Sequence, residues 1–485
     1  MVCSSAHASN TANIPTVPNV STLAQLTAQA GKQSPDIILL GYYSAGDGGG
    51  GLLHWNGSST ATVTKCGPYA GIATTGRWVR NFTGPLDIAM CGAKQDGTTD
   101  DYTSLIDAYS TLATDGGTLL ISGNIAIASG VGHAPILISN NTTTRCAPTA
   151  GFVLTGTTER DDWFTAENPN NVYFDGCAFT GNGVGTSTAN GGAIIFYGSP
   201  GASADMANFG CTRCSFTNFK EPYWVYVRND SAYKMRTIRF ADTTAVSVSG
   251  NMQNPSSTSY PAGLFAFRGQ VFNLGGTIED IVIENTHFDC TWLKSLSIFW
   301  SGTKNFHVLN STADHCGAHT SPDSGGYAEL AYADDAGSIG AAPPTDGWYE
   351  NEKIISPFSC GYYFAQAVNM HIISPHVSGQ TDTADSTLPK GAICGNQIKN
   401  LSVLQPVLTD NYIGISVKGD ANSVTSLVAP NIQSSVSEAT GIKITSSPTS
   451  DSTTQTYISD PSIHLTGSSS VGIFLSSISG STLEP

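Results

Sequence analysis

Residues 85–123 read PLDIAMCGAKQDGTTDDYTSLIDAYSTLATDGGTLLISG, and the rest of the chain is arranged around them. The apolar run Ile88–Met90 predicts a short strand that ends at Gly92. A polar turn follows, Asp96-Gly97-Thr98-Thr99-Asp100-Asp101. Leu105, Ile106, Tyr109, Leu112 and Ala113 then recur at helical spacing, which predicts a helix near 100–113. Thr99 or Asp100 is expected to cap it, because a short side-chain oxygen accepts from the free N–H groups of the first turn. Asp101 adds negative charge where the helix dipole is positive. Gly116-Gly117 ends the helix, and Thr118–Ser122 predicts the next strand.

Taken together, this order resembles the entry segment of pectate-lyase-like right-handed parallel β-helix proteins, whose helix closes the open end of the solenoid. Gln95 stands where that family usually has Gly, and Leu119-Leu120 where it has its apolar pair. An ordinary βαβ turn is the alternative that the local pattern leaves open.

Upstream, residues 1–34 are expected to be a flexible segment with one short helix. Ser21 would cap that helix, which carries Leu23, Leu26 and Ala30. Residues 35–84 are expected to form a small N-terminal β cap. It would contain a strand at Ile37–Leu40, the run GYYSAGDGGGGLLHWNGSST at 41–60, and GRWVRNFTGP at 76–85, with Trp55 and Trp78 as apolar anchors. No Lys-Ser/Thr follows the glycine run and no helix opens there, so a phosphate cradle is excluded. The succession of the Gly run, GRWVR and the TTDD helix resembles the front of bacteriophage tailspike proteins and related prophage proteins.

Residues 85–485 are read as the solenoid itself, so the fold class is all-β, a right-handed parallel β-helix. Val172–Phe179, Ile281–Phe288 and Phe306–Ala313 align as rungs. Pro357, Pro375, Pro406, Pro430 and Pro461 mark what looks like one recurring corner. Strands such as Gly414–Val417, Gly441–Ile444 and Gly472–Leu475 follow in phase. The two-residue period sends alternate side chains inward and outward. Two stretches interrupt the rungs: Gly317–Asn351, read as a long loop insertion, and a second near Val246–Gly276. Long structured loops commonly carry function.

The formal charge is −16, from 21 Lys+Arg against 37 Asp+Glu, which excludes a nucleic-acid partner. No apolar run reaches membrane-spanning length and no signal-peptide pattern opens the chain, so no membrane insertion is expected. Eleven cysteines in so long a chain do not read as a disulfide framework. They are expected to be buried free thiols of a protein made in the reducing bacterial cytoplasm. The Cys211/Cys214 pair lacks the partners of a zinc site. No metal or other cofactor is expected.

Laying Ile281 on Phe306 places Asp289 over Asp314, Asn285 over Asn310 and Thr286 over Ser311. Parallel strands lie about 4.8 Å apart, so the two carboxylates would be about 5 Å apart, the separation of a retaining glycosidase pair. Asp289 and Asp314 are therefore the first catalytic candidates. Glu350 is held in reserve, with Glu352 and Glu221 behind it. Trp292, Trp300, Trp348, Tyr349, His315, Tyr226 and Arg228 are the candidate substrate-binding residues, because aromatic faces and cations suit sugar rings and their acidic groups. Turn-capping aspartates, and core packing of Trp300, are the structural alternatives. Asn285 and Asn310 are expected to belong to an internal amide ladder. No polygalacturonase signature and no Ser-His-Asp elbow is present.

The tailspike resemblance implies a homotrimer on the phage tail of a virion, attached to a tail or baseplate protein. The expected function is that of a tailspike-like depolymerase, which binds a bacterial surface polysaccharide, capsule or O-antigen, and cleaves it, by glycoside hydrolysis if the paired carboxylates act. Lyase action on an acidic glycan, or glycan adhesion without catalysis, are the competing readings. An outward apolar residue such as Phe474 fits a subunit contact.

Overall fold

The computed structural model describes residues 17–29, 34–71, 74–80, 84–129, 132–156, 162–183, 192–219, 223–246, 262–269, 275–292, 294–316, 327–333, 342–380, 390–419, 423–446, 455–476 and 482–483. The chain divides into two compact units, one formed by 1–93 with 103–108 and the other by 94–102 with 109–485.

The first unit carries a five-stranded sheet that includes Asp36–Leu39, Gly51–Asn56 and Arg77–Arg80 in antiparallel register. Its core is Leu26, Ile37, Leu39, Leu53, Tyr69 and Trp78, with Trp55 tilted against Trp78 at 5.2 Å. The glycine run folds around Asp47. That carboxylate accepts from the backbone N–H groups of Tyr42, Tyr43, Ser44 and Gly49 at 2.7–3.0 Å. Gly49 has no room for a side chain, since a Cβ there would stand 2.5 Å from that of Tyr42. The helix near the N-terminus runs Leu23–Thr27 and is capped by Thr22 rather than Ser21.

Two local expectations change at the entry segment. Ile88–Cys91 is a 3₁₀ turn rather than a strand, because the Asp87 carboxylate accepts from the Ala89 N–H and starts a turn. The entry helix spans Tyr102–Leu112, with Asp101 at the cap position. The Asp101 carboxylate turns back to the N–H groups of Lys94 and Gln95 instead of capping, while Asp100 accepts from Tyr102 N–H at 3.2 Å. The polar run Asp96–Asp100 is itself a strand.

The second unit is the expected parallel β-helix. Each coil passes through three strands, which stack into three parallel ladders, here called sheets 1, 2 and 3. In one coil these are Tyr223–Asn229, Met235–Ala241 and Thr244–Val246; the next stacks Ala262–Arg268, Ile278–Glu284 and His287–Trp292 on them. Sheet 3 has thirteen strands among the described residues. Coils repeat after as few as 22 residues, at Ile393–Ile415, and as many as 43, at Asp242–Asn285. The aligned rungs hold: Val172, Phe209, Ile238, Ile281 and Phe306 pair in succession.

The corner between sheets 2 and 3 explains the recurring motifs. Its first residue takes a left-handed backbone, with φ of 50° at both Asn285 and Asn310, a conformation Asn tolerates well. The second residue is in turn Cys177, Cys214, Thr243, Thr286, Ser311, Glu352, Pro375, Pro406, Pro430 and Pro461 along the solenoid. Pro357 does not belong to this series, for it follows the sheet 3 strand Lys353–Ile355 and marks a different corner. Asn285 and Asn310 are exposed at this corner and not internal: Asn285 Nδ2 donates to the Asp242 carboxylate at 3.0 Å, and Asn351 Nδ2 donates to Asn310 Oδ1 at 3.4 Å.

The stretch expected as one loop, 317–351, contains two rung strands, Tyr327–Tyr332 and Thr345–Glu350. An inward Glu in the first of them breaks the apolar alternation that would have revealed it. Ala262–Arg268 likewise places a sheet 1 strand inside the 246–276 stretch.

The cysteines are not free. Among the described residues, ten pair as Cys66–Cys91, Cys146–Cys177, Cys211–Cys214, Cys290–Cys316 and Cys360–Cys394. Stacking supplies the reason. The rise between coils brings Cys146 and Cys177, and Cys290 and Cys316, to 4.9 Å between Cα atoms, within disulfide range. An odd count concealed this; the eleventh, Cys3, lies outside the described residues.

Candidate functional site

Three outward faces of the solenoid carry polar and aromatic groups, and the sequence candidates are divided among them.

On sheet 3, Asp289 and Asp314 pair directly in neighbouring strands. Both are half-buried and both point outward, because Phe288 and Ala313 beside them fill the interior. Their column runs Val246, Asp289, Asp314, Ile355 and Ser378, so the pair is flanked by apolar residues on both sides. Two carboxylates on adjacent parallel strands, about 5 Å apart, can serve as acid and nucleophile to one glycosidic bond. His315 lies next to them, with Nδ1 2.7 Å from Asp314 Oδ1 and an exposed ring. The side chain of Trp292 lies outside the described residues, as does Glu221.

On sheet 2, Trp348 sits between two imidazoles. Its ring stacks on His371 at 4.0 Å and lies parallel to His307 at 6.0 Å. The three belong to one column, since His307, Trp348 and His371 pair in register. Burial holds the His371 imidazole below its usual value, although the Asp346 carboxylate opposes this. Glu350 points outward from the same strand as Trp348, with Leu309 and Ile373 as its register neighbours. It therefore lies on a different face from Asp289 and Asp314. Tyr349, between Trp348 and Glu350, is fully buried and faces the interior. The two-residue period that exposes its neighbours turns it inward, so it touches no ligand outside. Glu352 is also buried in the interior.

On sheet 1, Tyr226 and Trp300 lie buried in one cluster, with Arg228 close enough to act on the Tyr226 hydroxyl. Tyr197, Arg228 and Arg268 follow one another in register on consecutive rungs. Arg228 lies over the Tyr197 ring at 5.8 Å, and Arg268 over the Trp300 ring at 5.9 Å. Arg228 also binds the buried Asp230 at 2.7 Å, and the Tyr197 hydroxyl donates to the same carboxylate at 3.2 Å. Arg268 donates to the Tyr226 hydroxyl. Burial raises the Tyr226 hydroxyl above its usual value, against the lowering effect of Arg268 and Arg228. Tyr223 meets Trp300 edge-on at 5.5 Å. Sequence reasoning missed Arg268 and Asp230. Arg268 would have been found by stacking Arg228 one rung along, had Ala262–Arg268 been recognised as a strand.

Among the described residues, no group of three or more His, Cys, Asp or Glu side chains is placed to hold a metal ion. Among the same residues, no helix is long and apolar enough to cross a membrane.

No protein-family model matches the sequence, and no curated protein matches it. Solved structures do resemble it in fold. The enzymatically active domain of tailspike protein 2 from bacteriophage CBA120 superposes with a TM-score of 0.52 at 11% identity, over 93% of this chain and 62% of that one. The catalytic domain of a GH87 alpha-1,3-glucanase in complex with nigerose gives a TM-score of 0.51 at 13% identity, over 86% and 74%. PfbA, a surface adhesin of Streptococcus pneumoniae, gives 0.50 at 11% identity, over 81% and 91%. The chain spans 62% of the length of the tailspike domain. By its fold, this chain is a parallel β-helix of the kind found in a phage tailspike enzyme domain, a glucanase and a bacterial adhesin.

Proposed function

We propose that the protein is a tailspike-like depolymerase that binds a bacterial surface polysaccharide, capsule or O-antigen, along its solenoid and cleaves it by glycoside hydrolysis. The observation that carries this reading is the outward pairing of Asp289 with Asp314 on adjacent strands. One carboxyl would protonate the leaving glycosidic oxygen while the other attacks the anomeric carbon, and water would then release the sugar. Glu350 beside Trp348 is the reserve carboxylate. Assembly as a homotrimer on a phage tail, joined to a tail or baseplate protein, belongs to the same reading; Phe474, 44% exposed, offers apolar surface to a neighbour.

The deciding experiment incubates the purified protein with a panel of bacterial surface glycans. It follows new reducing ends together with the absorbance of unsaturated uronates. Reducing ends without that absorbance support hydrolysis. Absorbance would overturn hydrolysis in favour of a lyase. Binding without either product would establish an adhesin. The adhesin reading has its own observation: on sheet 1, where Tyr197, Arg228 and Arg268 stack on consecutive rungs, the buried Asp230 is already held by Arg228 and Tyr197.

A further inference from the structure

In one coil of the solenoid the apolar filling is interrupted. Glu329 enters from the sheet 1 strand Tyr327–Tyr332, Tyr349 from the sheet 2 strand Thr345–Glu350, and Glu352 from the corner that follows. All three are fully or almost fully buried. In sheet 1, Glu329 pairs with Ser297 on the rung before and with Tyr362 on the rung after. Ser297 Oγ donates to one Glu329 oxygen.

The surroundings are aromatic. The Tyr349 ring lies 6.5 Å from Phe299, 6.0 Å from Phe306, and 5.5 Å from both Tyr362 and Phe364. Glu329 Oε1 and the Tyr349 hydroxyl close no hydrogen bond among the described residues, and the Tyr362 hydroxyl acts on the Glu352 carboxyl. Glu352 also occupies the corner position that holds Cys, Thr or Ser in the five coils before it and Pro in the four after it.

Two carboxylates here would put two negative charges into a dry aromatic core, a state that proteins avoid by taking up protons. The groups acting on Glu329 are its burial and Ser297. Those acting on Glu352 are its burial, Glu329 and Tyr362; none of them is a cation. The inward residues on the other packed strands are Phe306, Val308, Ala313, Ile354, Met370, Ile372 and Val377, all uncharged. Lys390, buried just before the sheet 1 strand that begins at Gly391, two rungs on, is engaged in an interaction of its own. Only two carboxyls meet here, and among the described residues no group of three or more His, Cys, Asp or Glu side chains is placed to hold a metal ion.

We propose that Glu329 and Glu352 form a proton-loaded latch inside the solenoid, folding with at least one proton held between them, so that the coils from 327 to 365 are tight in mild acid and loosen as the pH rises. Both carboxyls are driven well above their usual range by burial. The proton uptake therefore favours the fold at pH below the ordinary glutamate value and is lost as pH climbs through the raised one.

The test measures melting temperature across about pH 4.5–9 for wild type, Glu329→Gln, Glu352→Gln and the double variant, with the outward Glu350→Gln as control. Glutamine keeps the shape and stays neutral. The wild type and the control should lose melting temperature steeply with rising pH. The single variants should lose less and the double variant least. If a variant does not fold, hydrogen exchange of wild-type peptides from 327–365 at low and high pH decides alone, after correction for intrinsic exchange. Faster opening there than in distant coils at high pH supports the latch. Parallel pH profiles for all variants, or uniform exchange along the solenoid, would overturn it. So would a rise in wild-type melting temperature on adding calcium at high pH that is absent from the double variant, since the pair would then hold a cation.

Discussion

Asp289 and Asp314 occupy the same position on successive coils, side by side in neighbouring parallel strands of sheet 3 and facing out of the solenoid. Their spacing is set by the strand repeat and not by any loop. A change of side chain at either position therefore leaves the backbone geometry in place.

Replacing either aspartate with Asn should lower glycan turnover by about 10²–10⁴-fold, the usual contribution of a general acid or base. Glycan binding and melting temperature should stay near wild type, because both side chains are half-exposed and neither fills the core. Reducing-end assays with Asp289→Asn and Asp314→Asn check this. Wild-type rates in both would make the pair structural and move attention to Glu350.

Trp348→Ala should weaken glycan binding by about tenfold, about 1.4 kcal/mol, if sheet 2 is a sugar platform. The ring is half-buried between His307 and His371. Calorimetric titration with wild type and variant is the measurement. Unchanged affinity would remove sheet 2 from the binding surface.

Mass spectrometry of alkylated protein, denatured without reductant, should find one reactive thiol out of eleven cysteines. Reduction should lower the melting temperature, since four of the five bridges join cysteines 25–34 residues apart, and a loop of such length is stabilised by about 3 kcal/mol when cross-linked. Recovery of most thiols would instead restore the free-cysteine reading and its reducing compartment.

Asp47→Ala should loosen the N-terminal unit by about 1–2 kcal/mol, because four backbone N–H groups lose their shared acceptor. Burial acts to raise the Asp47 carboxyl, but those four donors outweigh it and hold the group below its usual value. The stabilisation is therefore present above the ordinary aspartate range and is lost as pH falls through the lowered one. Hydrogen exchange of peptides from 36–56 at pH 7 would show faster opening in the variant. Unchanged exchange would mean that the glycine run holds its own shape.

Sedimentation of the purified protein at micromolar concentration should show a trimer. A single monomeric species would remove the subunit contact proposed for Phe474.

Much of the fold was legible in the chain because a solenoid repeats its local chemistry. The phase of Val172, Ile281 and Phe306, and the overlay of Asp289 on Asp314, follow from side-chain alternation and coil length alone. Local rules also marked the entry helix and the glycine turn, although the competing bonds of Asp87 and Asp101 altered both termini of the expected elements. What the sequence could not determine depends on which way a side chain faces and on which coil lies next to it. Tyr349 reads as a surface aromatic until its strand places it inward. Glu352 reads as a catalytic reserve until its corner buries it. Arg268 joins Arg228, and Cys146 joins Cys177, only when variable coils are closed into register. Coil length is set by the loops, and proximity across coils is set by the strand spacing. Contacts of that kind exist only in the assembled tertiary structure.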